Sequence, residues 1–205
     1  MIDDNLKTEE KIRIAARGEF LEKGFNATRI RDIAELAEVN VALVNYYFRS
    51  KENLFDIIMF DCMQDMFSFL NKIVNNEQTS LSFKIQEIVK SYVNMYKTNP
   101  HLPLFVFREI QTNPDRLIRK IGIPQDSMQN SYFFKQLGDH ISKKKLGITP
   151  LHVFVNIVSL TILPVVGKSF IFKMCTFENE EYENFVNERE ALVPEWIKAM
   201  LDLDE

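Results

Sequence analysis

The sequence predicts an all-α protein. Apolar residues recur at three- and four-residue spacing along most of its 205 positions, and no stretch alternates apolar with polar as a half-buried strand does. Only 6 glycines and 7 prolines punctuate it, too few for a many-turned β protein. Residues that favour helix starts stand just ahead of the periodic runs. At 46% hydrophobic and 26% charged, the chain can build a core and is too apolar for disorder.

The elements follow in order. Thr8 with Glu9 and Glu10 starts a first helix, its acids at the positive end of the helix dipole. Ile12, Ala15, Ala16 and Phe20 form its inward stripe, and Gly24 ends it as a left-handed cap. Thr28 caps a second helix that buries Ile30, Ile33, Ala34 and Ala37. Asn40 caps a third, with Leu43, Val44 and Phe48 inward. Ser50 caps a fourth, whose apolar set runs from Leu54 through Ile58, Met63 and Phe67 to Ile73. The polar run over 75–80 reads as a hinge between two halves. Helices follow over 83–96, 102–111 and 115–121, separated by Asn-Pro and Gly signals. A longer one spans 126–146 and closes with Lys143, Lys144 and Lys145, which suit the negative end of a dipole. An apolar helix starts near Pro150 and runs to about Met174. The last covers 182–203, with a kink or break expected at Pro194.

The third helix carries the sharpest signal. With one face packed on its neighbours, Val41, Ala42, Asn45, Tyr46 and Tyr47 are left toward solvent. Two tyrosines and an asparagine beside small residues make a poor solvent face but a good DNA face. Tyrosine hydroxyls reach phosphates, and an amide can reach a base edge or phosphate. Thr28 and Lys51 flank the unit at helix N-termini, with Arg29, Arg31 and Arg49 along the same edge. Net charge is −4, so DNA attraction must come from this local patch. A helical hairpin with half-buried tyrosines is the alternative reading of the pattern.

The run Asp32-Ile33-Ala34, Ala37-Glu38-Val39 and then Tyr46-Tyr47-Phe48-Arg49-Ser50-Lys51-Glu52-Asn53-Leu54-Phe55 resembles the N-terminal domain of TetR-family transcriptional regulators. The likeness covers about residues 8–55. It implies a DNA-binding helix-turn-helix domain over 1–50 and a helical effector-binding and dimerisation domain over 51–205. A linking helix of about 51–75 joins them. It also implies a homodimer paired through its last two helices, and an effector that moves the linking helix to release a pseudo-palindromic operator. Carried over to this chain, the DNA contacts fall on Thr28, Asn40, Val41, Ala42, Asn45, Tyr46, Tyr47 and Lys51, with Arg29 beside them. Three positions depart from the family pattern: Glu38 and Ala42 where Gly is common, and Asn45 where Tyr is common. If position 38 needs a positive φ, Glu38 costs about 1 kcal/mol there.

In the second domain Tyr92, Met95, Tyr96, Phe105, Phe133 and Phe134 are candidate effector-pocket aromatics and apolars, with Arg108 as a polar candidate. Packed core is the competing reading for each. Val153, Ile157 and Leu160, together with Phe185, Leu192 and Trp196, are candidates for the dimer interface, because a helix apolar on most sides must be covered. His101, His140 and His152 stand apart, and no metal-ligand spacing, phosphate-binding Gly loop or nucleophile motif is present. The reading is therefore of a non-enzyme without cofactor or metal. Cys62 and Cys175 read as buried structural thiols. The acidic start lacks a leader's apolar core, and residues 153–166 are too short and too polar to span a bilayer. A cytoplasmic location with no membrane partner is expected. The function expected is a DNA-binding regulator, a repressor released by a small apolar or amphipathic effector. A helical ligand-binding module that has lost DNA affinity is the second reading.

Overall fold

The computed structural model describes residues 7–122, 124, 126–175 and 178–203. The leader expectation falls on residues 1–6 and lies outside them. Among the described residues there are eleven helices and no strand: α1 (Thr8–Ala27), α2 (Ile30–Leu36), α3 (Val41–Phe48), α4 (Lys51–Val74), α5 (Leu81–Thr98), α6 (Leu102–Thr112), α7 (Pro114–Ile121), α8 (Tyr132–Lys144), α9 (Pro150–Val166), α10 (Lys168–Cys175) and α11 (Asn179–Leu201).

α1, α2 and α3 pack on one another and on the start of α4. The apolar stripes of their sequences meet in a closed core: Ile12, Ala16, Phe20, Ile33 and Leu54 are fully buried, with Val44 and Phe48 beside them. The Phe55 ring stands edge-on to Phe20 and Phe25, at 5.0 and 5.1 Å between centroids. Further along α4, Asp61 pairs with Arg13 and Asp65 with Arg17 at 2.9 Å, which sets the register of α1 against α4. These pairs are partly exposed and add little stability.

The body is built around α5, which lies against α4, α8, α9 and α11. Phe105 of α6 packs edge-on against Phe55 and Phe60 of α4. Asp56 of α4 and buried Glu109 of α6 share Arg116 of α7, at 2.6 and 3.2 Å. Hydrogen bonding to Asp56 raises the Arg116 pKa further above its already high ordinary value.

Several expectations are corrected by local chemistry. The helix expected over 126–146 begins only at Tyr132. Asp126 has φ 63, and Ser131 caps the later start by accepting from the Phe134 amide. The single apolar helix after Pro150 is two helices that meet at 71° around Gly167. Pro164 removes an amide, which orphans the Leu160 carbonyl four residues earlier. Arg189 of α11 supplies the missing donor, its Nε lying 2.7 Å from that oxygen. Tyr182 caps the Pro164 carbonyl at 2.5 Å. Arg189→Met leaves this partly buried carbonyl without its donor and is expected to lower stability by about 1 kcal/mol in chemical denaturation. An unchanged midpoint would refute this role.

The polar run over 75–80 is the turn between α4 and α5. Asn75 accepts from the Tyr132 amide, and Thr79 receives hydrogen bonds from Lys84 and Gln136. The turn is thereby fastened to α5 and α8. The first helix starts on Thr8 itself with Lys7 as its cap. α11 runs through Pro194 without ending there. Cys62 is buried, and burial pushes its thiol pKa up, whereas Cys175 is exposed; both are free. No single helix among the described residues is long and apolar enough to cross a membrane.

Candidate nucleic-acid interface and ligand cavity

The reading head is shaped by its caps. The Asn40 side chain accepts from the Leu43 amide at 2.9 Å and so starts α3 where the sequence predicts. Ser50 does the same for α4, accepting from the Asn53 amide at 3.1 Å. Glu38 sits between α2 and α3 at φ 57, with the next amide, that of Val39, bonded back to the Ala34 carbonyl at 2.9 Å. This is a left-handed helix end that glycine would occupy without strain. Glu38→Gly is expected to stabilise the head by about 1 kcal/mol in thermal unfolding and to remove an exposed acid from the DNA side. A loss of stability would show that the Glu38 side chain compensates its backbone.

Val44 and Phe48 of α3 are buried, and the opposite face is open. Asn40, Val41, Ala42, Asn45, Tyr46 and Tyr47 are all exposed, with Tyr46 at 77%. The two tyrosine rings stand edge-on at 5.3 Å, forming one aromatic ridge. Leu43, expected inside, is 37% exposed. Only Val44 and Phe48, four apart, share the inward line; Leu43 lies a 100° step away and, one turn before Tyr47, joins the outer face. Arg29, Arg31 and Arg49 are exposed around this face.

Two of the flanking candidates have a different role. Thr28 does not cap α2; Arg29 holds that position. The Thr28 hydroxyl is buried and donates to the Gly24 and Glu19 carbonyls at 2.8 and 3.1 Å. The Lys51 ammonium donates to the Phe25 and Thr28 carbonyls at 2.8 and 3.0 Å and lies 4.2 Å from the Phe25 ring centre. The Thr28 side chain is spent on closing the end of α1, and Lys51 fastens that end to the start of α4. The hydroxyl of Thr28 is therefore withdrawn from phosphate contact, and at most one Lys51 donor remains for it.

In the body, a cavity of about 430 Å³ lies between α4, α5, α9 and the end of α7. Leu70, Val74, Ile88 and Tyr92 form its buried wall, and Phe67, Ile121, Met128 and Phe154 its flanks. Gln64, Ser68 and Asn71 stand at its exposed mouth. Of the seven candidate pocket residues only Tyr92 lines it. Met95 borders a smaller cleft beside Arg17 and Cys62, while Phe105 and Arg108 border a groove beside Gly24 and His101. Phe133 and Phe134 are packed core. The Tyr96 hydroxyl donates to Glu183 at 3.0 Å and closes a separate cluster with Tyr182 and Val186. The wall residues on α4 and α5 are ordinary leucine, valine and isoleucine, which no sequence signal separates from core.

The dimer candidates also divide. Val153 and Ile157 are fully buried within the protomer, so they are corrected to core. Leu160 and Phe185 are half-buried, whereas Leu192 and Trp196 are 41% and 43% exposed. Leu151, Val155 and Leu163, at 55%, 51% and 64%, are large apolar residues that α9 turns outward.

Residues 12–58 match the family model of bacterial regulatory proteins, tetR family. The chain carries a TetR-family N-terminal domain. It is a DNA-binding, helix-turn-helix transcriptional regulator. Along 201 residues it is 27% identical to the probable HTH-type transcriptional regulator YttP of Bacillus subtilis (strain 168), covering 95% of this chain and 94% of that protein. Among solved structures it shares its fold with the transcriptional regulator FadR of Bacillus subtilis in complex with stearoyl-CoA. That match has a TM-score of 0.58 and 15% identity, over 92% of this chain and 97% of that one. A TetR transcriptional regulator from Legionella pneumophila matches with a TM-score of 0.52 and 20% identity, over 91% and 98% of the two chains. The matched family model ends within α4, so for the TetR body the likeness rests on YttP and on fold.

Proposed function

We propose that the chain is a repressor. It binds a pseudo-palindromic operator as a homodimer and leaves it when a small apolar or amphipathic effector enters the cavity. The observation that carries this reading is the double duty of α4. Six of its residues, from Gln64 to Val74, border the cavity. Its first residue, Lys51, holds the reading head through the Phe25 and Thr28 carbonyls. An occupant that shifts the C-terminal half of α4 therefore tilts the head attached to its N-terminus. The stearoyl-CoA seen with a protein of this fold supports an apolar chain as the occupant.

Dimerisation through α9 and α11 is supported by the apolar surface those helices leave open, Val155, Leu163, Leu192 and Trp196. Operator contact falls to Asn40, Val41, Ala42, Asn45, Tyr46 and Tyr47, with Arg29 at the phosphate edge. Selection of bound sequences from random DNA tests the first part, and a ligand screen for release of the selected site tests the second. Recovery of a palindrome released by an apolar compound is the expected result. DNA binding without sequence preference at moderate salt would overturn the reading.

A further inference from the structure

We infer that the effector of this cavity is an uncharged amphiphile whose hydroxyl or carbonyl group meets the Tyr92 hydroxyl, not an anionic lipid. This rests on the reading of the cavity as the effector site. Tyr92 is only 7% exposed, lines the cavity and has no hydrogen-bond partner among the described residues. The Tyr92 hydroxyl oxygen is not sealed off inside the core, so an occupant of the cavity can reach it and gain a hydrogen bond in largely apolar surroundings. Burial also pushes the Tyr92 pKa up to about 12, which keeps the group a neutral donor at ordinary pH.

The described surroundings supply no cation for a negative charge. Among the described lining residues none is Lys, Arg or His. The polar ones are neutral amides and hydroxyls. α7 brings its C-terminal end to the cavity at Ile121 and Gly122, the negative end of its dipole. Gln64 already donates to the Lys120 carbonyl there, at 2.8 Å. A carboxylate beside Tyr92 would lose its hydration with no cation in exchange. An alcohol, ester or amide meets the same hydroxyl without that cost.

The test uses the full-length protein at pH 8 and displacement of Nile red by 1-decanol and by decanoate. These probes share a chain and differ in charge. Decanol is expected to bind at least tenfold more tightly, and Tyr92→Phe is expected to weaken decanol about tenfold while leaving decanoate unchanged. Val74→Trp, which fills the cavity, should abolish displacement by both and thereby locates the site. Decanoate binding as tightly as decanol, or a decanol affinity indifferent to Tyr92→Phe, overturns the neutral-effector inference; if Val74→Trp still abolishes that binding, the cavity reading stands. Failure of both probes, or binding untouched by Val74→Trp, overturns the cavity reading and this inference with it. Thermal unfolding of each variant confirms that it is folded under the assay conditions.

Discussion

Gly24→Ala is expected to cost about 3 kcal/mol and to lower the melting temperature by roughly 6–12 °C. Gly24 has φ 74 and ψ 175, an extended mirror-image conformation that is essentially confined to glycine. It is not the left-handed helix end that its position in the sequence predicts. Chain strain supplies the first part of the loss, about 1–3 kcal/mol. The second part comes from His101, whose ring atoms would lie 2.8 and 2.9 Å from an added methyl carbon. The ring is a movable side chain, so it gives way, at the expense of its packing between α1 and α6. Combining Gly24→Ala with His101→Ala should therefore recover only the smaller, steric part. A variant that melts within 1 °C of the parent would show that the backbone here relaxes freely. Because Gly24 lies where the reading head touches the body, the same substitution is also expected to weaken operator binding.

Tyr46→Ala is expected to reduce operator affinity about ten- to a hundredfold while leaving the melting temperature within about 1 °C. At 77% exposure Tyr46 contributes little to the core, and its ring partner is the less exposed Tyr47 at 41%. Lys51→Ala is expected to do the reverse. It removes two charge-assisted hydrogen bonds to the Phe25 and Thr28 carbonyls, a loss of roughly 2 kcal/mol, and should melt the head several degrees earlier. Its DNA binding should fall only as the head becomes unfolded, and recover on cooling. The two variants are compared by calorimetry and by fluorescence anisotropy against the selected operator. If Lys51→Ala lost affinity with full stability, its ammonium would be a phosphate contact after all. If Tyr46→Ala kept full affinity, the aromatic ridge of α3 would not be the reading surface.

The first four helices were legible because their signals are local. Asn40 and Ser50 cap within one turn of themselves, and the stripes through Ile12, Ile33, Val44 and Leu54 repeat at the helical period. The body was read less well at its breaks. Asp126 in the left-handed region and the bend at Gly167 divide segments whose apolar spacing continues across them. Periodicity registers which face is apolar and is indifferent to where the axis turns. The cavity was largely illegible, since a leucine facing a void and a leucine facing another leucine have the same sequence pattern. Aromatic residues drew attention there by size, yet Phe133 and Phe134 are core, and only Tyr92 of the chosen set borders the cavity.

The amino-acid sequence by itself determined an all-α chain, the helix-turn-helix and the outward face of α3, because caps, periodicity and turn residues act over a few positions. Only the tertiary structure decided that Thr28 and Lys51 are fasteners, that Arg189 completes a helix broken by Pro164, and which wall residues leave a space beside Tyr92. Thr28 finds its acceptors within its own helix end, but Lys51, Arg189 and the cavity wall each depend on a partner that is distant in sequence. A donor of given chemistry bonds whichever acceptor the packing brings within about 3 Å, and that choice is made by the assembled helices, not by the residue.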